Sequence, residues 1–82
     1  MHRSAADHKQ ASDLYGQALS LAESLGMRPL AARIHLGLGL LHSRSGDPNK
    51  ARDNFTTGAS EFRDMGMASW LFRAEAEVSR LQ

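Results

Sequence analysis

Apolar residues recur every three or four positions at the start of the chain: Ala11, Leu14, Tyr15, Ala18, Leu21, Ala22 and Leu25. That spacing lays them on one stripe of a helix and predicts a first helix over about 5–25. Ser4 is placed to cap it and Asp7 falls in its first turn. Gly26 follows the stripe as a terminator, and Met27 beyond it is placed to fold back on the last turn. A second helix is predicted from Pro29 to near Ser45. Leu30, Ala31, Ile34, Leu38 and Leu41 form one face of it, and Leu36 and Leu40 add another. Apolar surface on two sides marks a helix sandwiched between neighbours, or one that faces a partner. Gly37 and Gly39 in its centre lower its helicity by roughly 1 kcal/mol each relative to Ala, so they predict close approach of another helix. Gly46-Asp47-Pro48 is the sharpest boundary: terminator, N-cap and first helical residue in succession. The third helix, about 48–65, carries Ala51, Phe55, Gly58, Ala59, Phe62 and Met65 on one stripe. In the fourth, about 69–81, Leu71, Ala74, Val78 and Leu81 face inward while Arg73, Glu75, Glu77 and Arg80 make most of the rest polar. No segment alternates with period two, so the fold class expected is all-α: four antiparallel helices in one domain spanning 1–82.

Shifting the chain against itself by 40 residues aligns these landmarks. Ala11 falls on Ala51, Asp13 on Asp53, Ser20 on Ser60, Gly26-Met27 on Gly66-Met67, Arg33 on Arg73 and Leu41 on Leu81, while Tyr15 meets Phe55. Seven of the thirty-one positions from 11 to 41 are identical, where chance gives about two. The third and fourth helices therefore repeat the first and second, and the repeating unit is a helical hairpin.

The stretch from Ala32 to Arg63 resembles a tetratricopeptide repeat. Leu38-Gly39 matches the Leu-Gly pair of that pattern, Gly46 its turn glycine, Ala51 its small packing residue and Phe55 its second aromatic. His42 stands at the first aromatic position, Gly58 at the final alanine and His35 at the large residue near the start. The proline customary after the second helix is replaced by Arg63, which lets that helix run on to Met65 and fits a period of 40. Leu25-Gly26-Met27-Arg28-Pro29-Leu30, His35-Leu36-Gly37-Leu38-Gly39 and Asp64-Met65-Gly66-Met67-Ala68-Ser69-Trp70-Leu71 resemble something narrower. They are similar to the C-terminal helical repeats of bacterial regulators that pair a class III adenylate/guanylate cyclase or transcription-factor domain with an ATPase module. The resemblance implies an interaction and scaffold module of a signalling or regulatory protein, and carries no catalytic role.

Composition narrows the chemistry. Ten Lys and Arg against nine Asp and Glu leave a net charge of +1, scattered singly with no basic stripe, so nucleic acid is not an expected partner. Cysteine is absent, which removes disulfides and thiolate metal sites. The apolar run around Leu36–Leu41 is too short to span a bilayer, and no apolar stretch follows Met1-His2-Arg3-Ser4 as in a secretion signal. A cytoplasmic protein without membrane partners is expected. No phosphate-binding loop is present. Glu75 and Glu77, two apart, lie on different helix faces and cannot share a reacting centre. His35 and His42 are seven apart, where a metal site wants three or four, and both coincide with packing positions of the repeat. His2 and His8, with Asp7, form a second histidine group near the start of the chain. The expectation is no enzyme activity, no cofactor and no metal; a small helical DNA-binding or metal-binding domain is the alternative.

Binding follows from the resemblance. In tetratricopeptide proteins the first helix of each hairpin lines a groove. Those offsets place Arg33, Leu36, Leu40, Ser43 and Arg44 on the groove side of the second helix, and Arg73, Ala76, Glu77 and Arg80 on that of the fourth. Leu36 and Leu40 stand where some members hold a peptide carboxylate with Lys and Asn, so the resemblance implies an apolar floor for an amphipathic helix or apolar segment. The alternative is that both leucines pack beneath a neighbouring helix. The chain starts with the second helix of one unit and ends with the first of another, which leaves Leu14 and Leu21 uncovered and predicts a homodimer.

Overall fold

The computed structural model describes residues 5–81. Four helices follow one another: α1 (Ala5–Ser24), α2 (Arg28–Arg44), α3 (Pro48–Asp64) and α4 (Ala68–Arg80). No strand occurs among the described residues. Each helix starts within a residue of the position its stripe and punctuation indicate. The cap assigned to Ser4 lies outside the described residues.

The three interhelical turns share one construction. Gly26, Gly46 and Gly66 all take positive φ, at 69°, 85° and 69°. Each glycine N–H donates to the carbonyl three residues back, and the following N–H donates to the carbonyl five residues back. Gly46 N to Ser43 O is 3.3 Å, and Asp47 N to His42 O is 2.9 Å. This pair of bonds is the Schellman motif, which satisfies carbonyls left over at a helix end. A residue with a Cβ at such a φ costs roughly 1–2 kcal/mol, which is why glycine recurs there. Of α2, α3 and α4, α3 alone has a side-chain cap: Asp47 accepts from Lys50 N–H at 3.2 Å, with Pro48 next. α2 and α4 start instead from Met27 and Met67, whose N–H groups close the preceding turn and whose carbonyls accept from Ala31 and Leu71.

Packing follows chain order, α1 on α2, α2 on α3 and α3 on α4. The two apolar faces of α2 serve two clusters. Ala31, Ile34 and Leu38 meet Ala22 and Leu19 of α1. Ala32 and Leu36 meet Ala51, Phe55, Ala59 and Phe62 of α3 and Ala74 of α4, with Leu40, Trp70, Leu71, Val78 and Leu81 packed around them. α2 is thus a sandwiched helix. Its glycines sit where the neighbours press closest. A Cβ on Gly39 would overlap the Phe55 ring on α3, and one on Gly37 would lie 3.0 Å from Tyr15 Cε1 on α1. Arg63 and Glu75, 3.0 Å apart, add a charged tie between α3 and α4.

Candidate functional site

The residues assigned to a groove divide into three groups. Leu36 is 5% exposed and belongs to the core under α3 and α4, so it does not form a groove floor in this chain. The reason is packing on that side of α2: Leu36 shares one cluster with Ala51, Phe55, Ala59 and Phe62 of α3, to which Ala74 of α4 also belongs. Leu40 is half-buried and packs against that cluster, so packing accounts for most of its surface too. The apolar floor is therefore replaced by core.

Arg33 and Arg73 form the second group. They occupy the same place in successive repeats, on α2 and α4, and both guanidinium carbons lie 4.9 Å from the centre of the Trp70 ring. Phe62, fully buried on α3, stacks on Trp70 with centroids 5.7 Å apart and planes inclined by 25°. The chain of support runs from core to surface: Phe62 fixes the indole, and the indole gathers the two arginines. Each cation–π contact contributes about 0.5–1 kcal/mol at an exposed site. That is enough to bias two long side chains but not to neutralise them. Among the described residues neither arginine has a carboxylate within ion-pair distance. Two cations held together on an aromatic platform are ready to receive an anionic group.

The remaining residues are peripheral. Ser43 and Arg44 are exposed at the C-terminal end of α2, Ala76 is exposed on α4, and Arg80 pairs with Glu77 at 3.6 Å. Trp70 was absent from the groove positions read from the repeat. Two signals point to it: it is the only tryptophan of the chain, and it stands three residues, or one helical turn, before Arg73.

The histidines separate. His35 Nδ1 lies 3.2 Å from Asn54 Oδ1, and its Nε2 lies 3.8 Å from Glu61 Oε1. Asn54 Nδ2 donates to Lys50 O at 2.9 Å, which leaves Oδ1 to accept from His35 Nδ1–H. His35 is thus a polar clasp between α2 and α3. His42 is buried, and His8 of α1 meets it edge to face at 5.5 Å. Burial first, then His8 and Lys50, hold the His42 pKa below the ordinary histidine value, with Asp47 acting the other way. His2 lies outside the described residues. Among the described residues no three of His, Cys, Asp or Glu converge as metal ligands, and no helix is long and apolar enough to cross a membrane.

No curated protein and no solved structure matches this chain. The family model described as tetratricopeptide repeat matches residues 1–59. The match takes in α1, α2 and most of α3, that is, the second helix of one unit and the hairpin that follows it. Together with the 40-residue repeat, the glycine turns and the sandwiched α2, this shows that the chain belongs to the tetratricopeptide repeat family.

Proposed function

We propose that the chain is a protein-binding scaffold whose α2/α4 face takes an extended or helical partner segment with an acidic side chain beside an apolar one. Tetratricopeptide repeats act by binding proteins and peptides rather than by chemistry, and no catalytic role is assigned. The observation that carries the choice of segment is the convergence of Arg33 and Arg73 on Trp70, with no carboxylate paired to either among the described residues. The indole and the half-buried Leu40 supply apolar contact, and the guanidinium groups supply orientation. The resemblance of Leu25–Leu30, His35–Gly39 and Asp64–Leu71 to the terminal repeats of bacterial regulators supports a place in a cytoplasmic signalling protein. A cyclase or transcription-factor domain and an ATPase module would then be its companions. Self-association, expected from the sequence as a homodimer, would bury the uncovered side of α1 against another copy, away from this face.

A displayed library of random peptides, selected on the immobilised chain, tests the reading. Enriched peptides should carry Asp or Glu next to Leu, Phe or Met. The enrichment should vanish with Arg33→Glu and Arg73→Glu combined, while circular dichroism stays unchanged. Enrichment that survives the double substitution, or that shows no acidic preference, would refute the assignment of this face.

A further inference from the structure

We infer that a second copy of this chain docks head to tail, with α4 of one copy lying on α1 of the next and Phe72 as the anchor. The inference rests on the repeat and not on the peptide-binding face. The 40-residue shift maps α3 onto α1 and α2 onto α4. In this chain α2 packs on α3; among the described residues nothing packs on α1 or α4 in the corresponding place.

The equivalent positions specify what each free side would meet. On α3, Asn54 and Glu61, which approach His35, are among the residues facing α2, as is Gly58, whose added Cβ would lie 3.2 Å from Ala32 O. Their counterparts on α1 are Leu14, Leu21 and Ala18. Leu14 and Leu21 are 59% and 60% exposed. The polar partners of a histidine are thus replaced by leucines turned outward. On α4, the counterpart of Ala32 is Phe72, which is 65% exposed and stands apart from the inward stripe of that helix.

Repeat geometry therefore carries Phe72 to the neighbourhood of Ala18. That spot is an open depression of about 290 Å³ lined by Ala11, Leu14, Tyr15 and Ala18, almost wholly apolar. A large side chain on one end matches a hollow on the other. The counterpart of His35 is Glu75, whose carboxylate is already drawn back to Arg63 of its own chain at 3.0 Å, leaving the aliphatic stem to face the leucines. The pairing would recreate α2 on α3 between two molecules and continue the stack. Because the two surfaces differ, the contact is heterologous and adds copies in a row instead of closing on a two-fold axis.

Sedimentation velocity on the 82-residue chain from micromolar to millimolar concentration tests this. The weight-average sedimentation coefficient should climb with concentration past the dimer value. Phe72→Glu blocks one end and Leu14→Glu the other. Each variant alone should be monomeric, its self-association weakened roughly thirtyfold or more, as for a buried aromatic or aliphatic anchor. Mixed, they should form a one-to-one dimer, because each retains the end that the other lacks. If Leu14→Glu loses its helical circular dichroism, Leu21→Glu takes its place. A wild-type chain that stays monomeric throughout, a Phe72→Glu chain that still dimerises through its α1 faces, or a mixture that does not associate would each overturn the proposal.

Discussion

His42 stands at a position where the repeat pattern takes an aromatic, and it behaves partly as one: buried, edge-on to His8, with its backbone carbonyl accepting from Ser45 Oγ and Asp47 N. The imidazole nonetheless titrates. Its folded pKa lies below that of the unfolded chain, through burial first and then through His8 and Lys50. The fold therefore prefers the neutral ring. The stability linked to this preference is present above about pH 6.5, the ordinary histidine value, and is lost as pH falls through that value towards the folded pKa. Thermal unfolding followed by circular dichroism should show a melting temperature that drops from neutral pH to mildly acidic pH. His42→Phe should flatten that drop. An unchanged slope in the variant would remove His42 as its source. A similar substitution of sense governs Leu36 and Arg33. The repeat offsets put both on one surface, yet Leu36 is buried in the cluster it shares with α3 and Arg33 rests against Trp70.

At the scale of the helices, glycine has two uses, and the two respond oppositely to substitution. Gly39 is the point where α2 touches the Phe55 ring of α3, with Cζ 2.9 Å from where a Cβ would stand. Phe55 is fully buried and has no room to yield. Gly39→Ala gains about 1 kcal/mol of helix propensity but meets an overpacking cost of about 1–3 kcal/mol. Net destabilisation of about 1 kcal/mol is expected by those magnitudes. Gly16, in the middle of α1, has nothing within 4 Å of its would-be Cβ. There the propensity term stands alone, and Gly16→Ala should stabilise by up to about 1 kcal/mol. Urea unfolding of the two variants against wild type checks the signs. The sequence pattern announced close approach at Gly39 because helical glycine is otherwise costly; it could not say which ring would fill the space.

For the whole molecule, the order of packing sets an order of local stability. α2 and α3 are covered on two sides, α4 leans on α3 through Phe62, Trp70 and Ala74, and α1 rests on α2 through the small cluster of Ala22, Ala31, Ile34, Leu38 and Leu19. Elements with fewer buried apolar contacts open at lower free energy. In dilute solution, hydrogen exchange should be fastest for α1 among the four helices and slowest for α2 and α3. Raising the protein concentration should then slow exchange in α1 and α4 together if copies pair through those helices. Equal protection of all four helices in dilute solution would contradict the packing order.

The sequence by itself determined the elements. Helix ends depend on bonds that span no more than five residues, as at Gly46 and Asp47, and on the intrinsic preferences of Gly, Pro and Asp, so they are written locally. The 40-residue repeat likewise lies in the order of residues alone, and it yielded the hairpin, the family and the equivalence of Arg33 with Arg73. Only the tertiary structure decided what covers what. Whether Leu36 floors a groove or fills the core depends on how the neighbouring helices close on that side of α2. The gathering of Arg33 and Arg73 on Trp70, the meeting of His8 with His42 and the outward turn of Phe72 are decided in the same way. These contacts join residues from separate helices, and their existence follows from how packed side-chain volumes set the helix crossings, which no periodicity within one helix encodes.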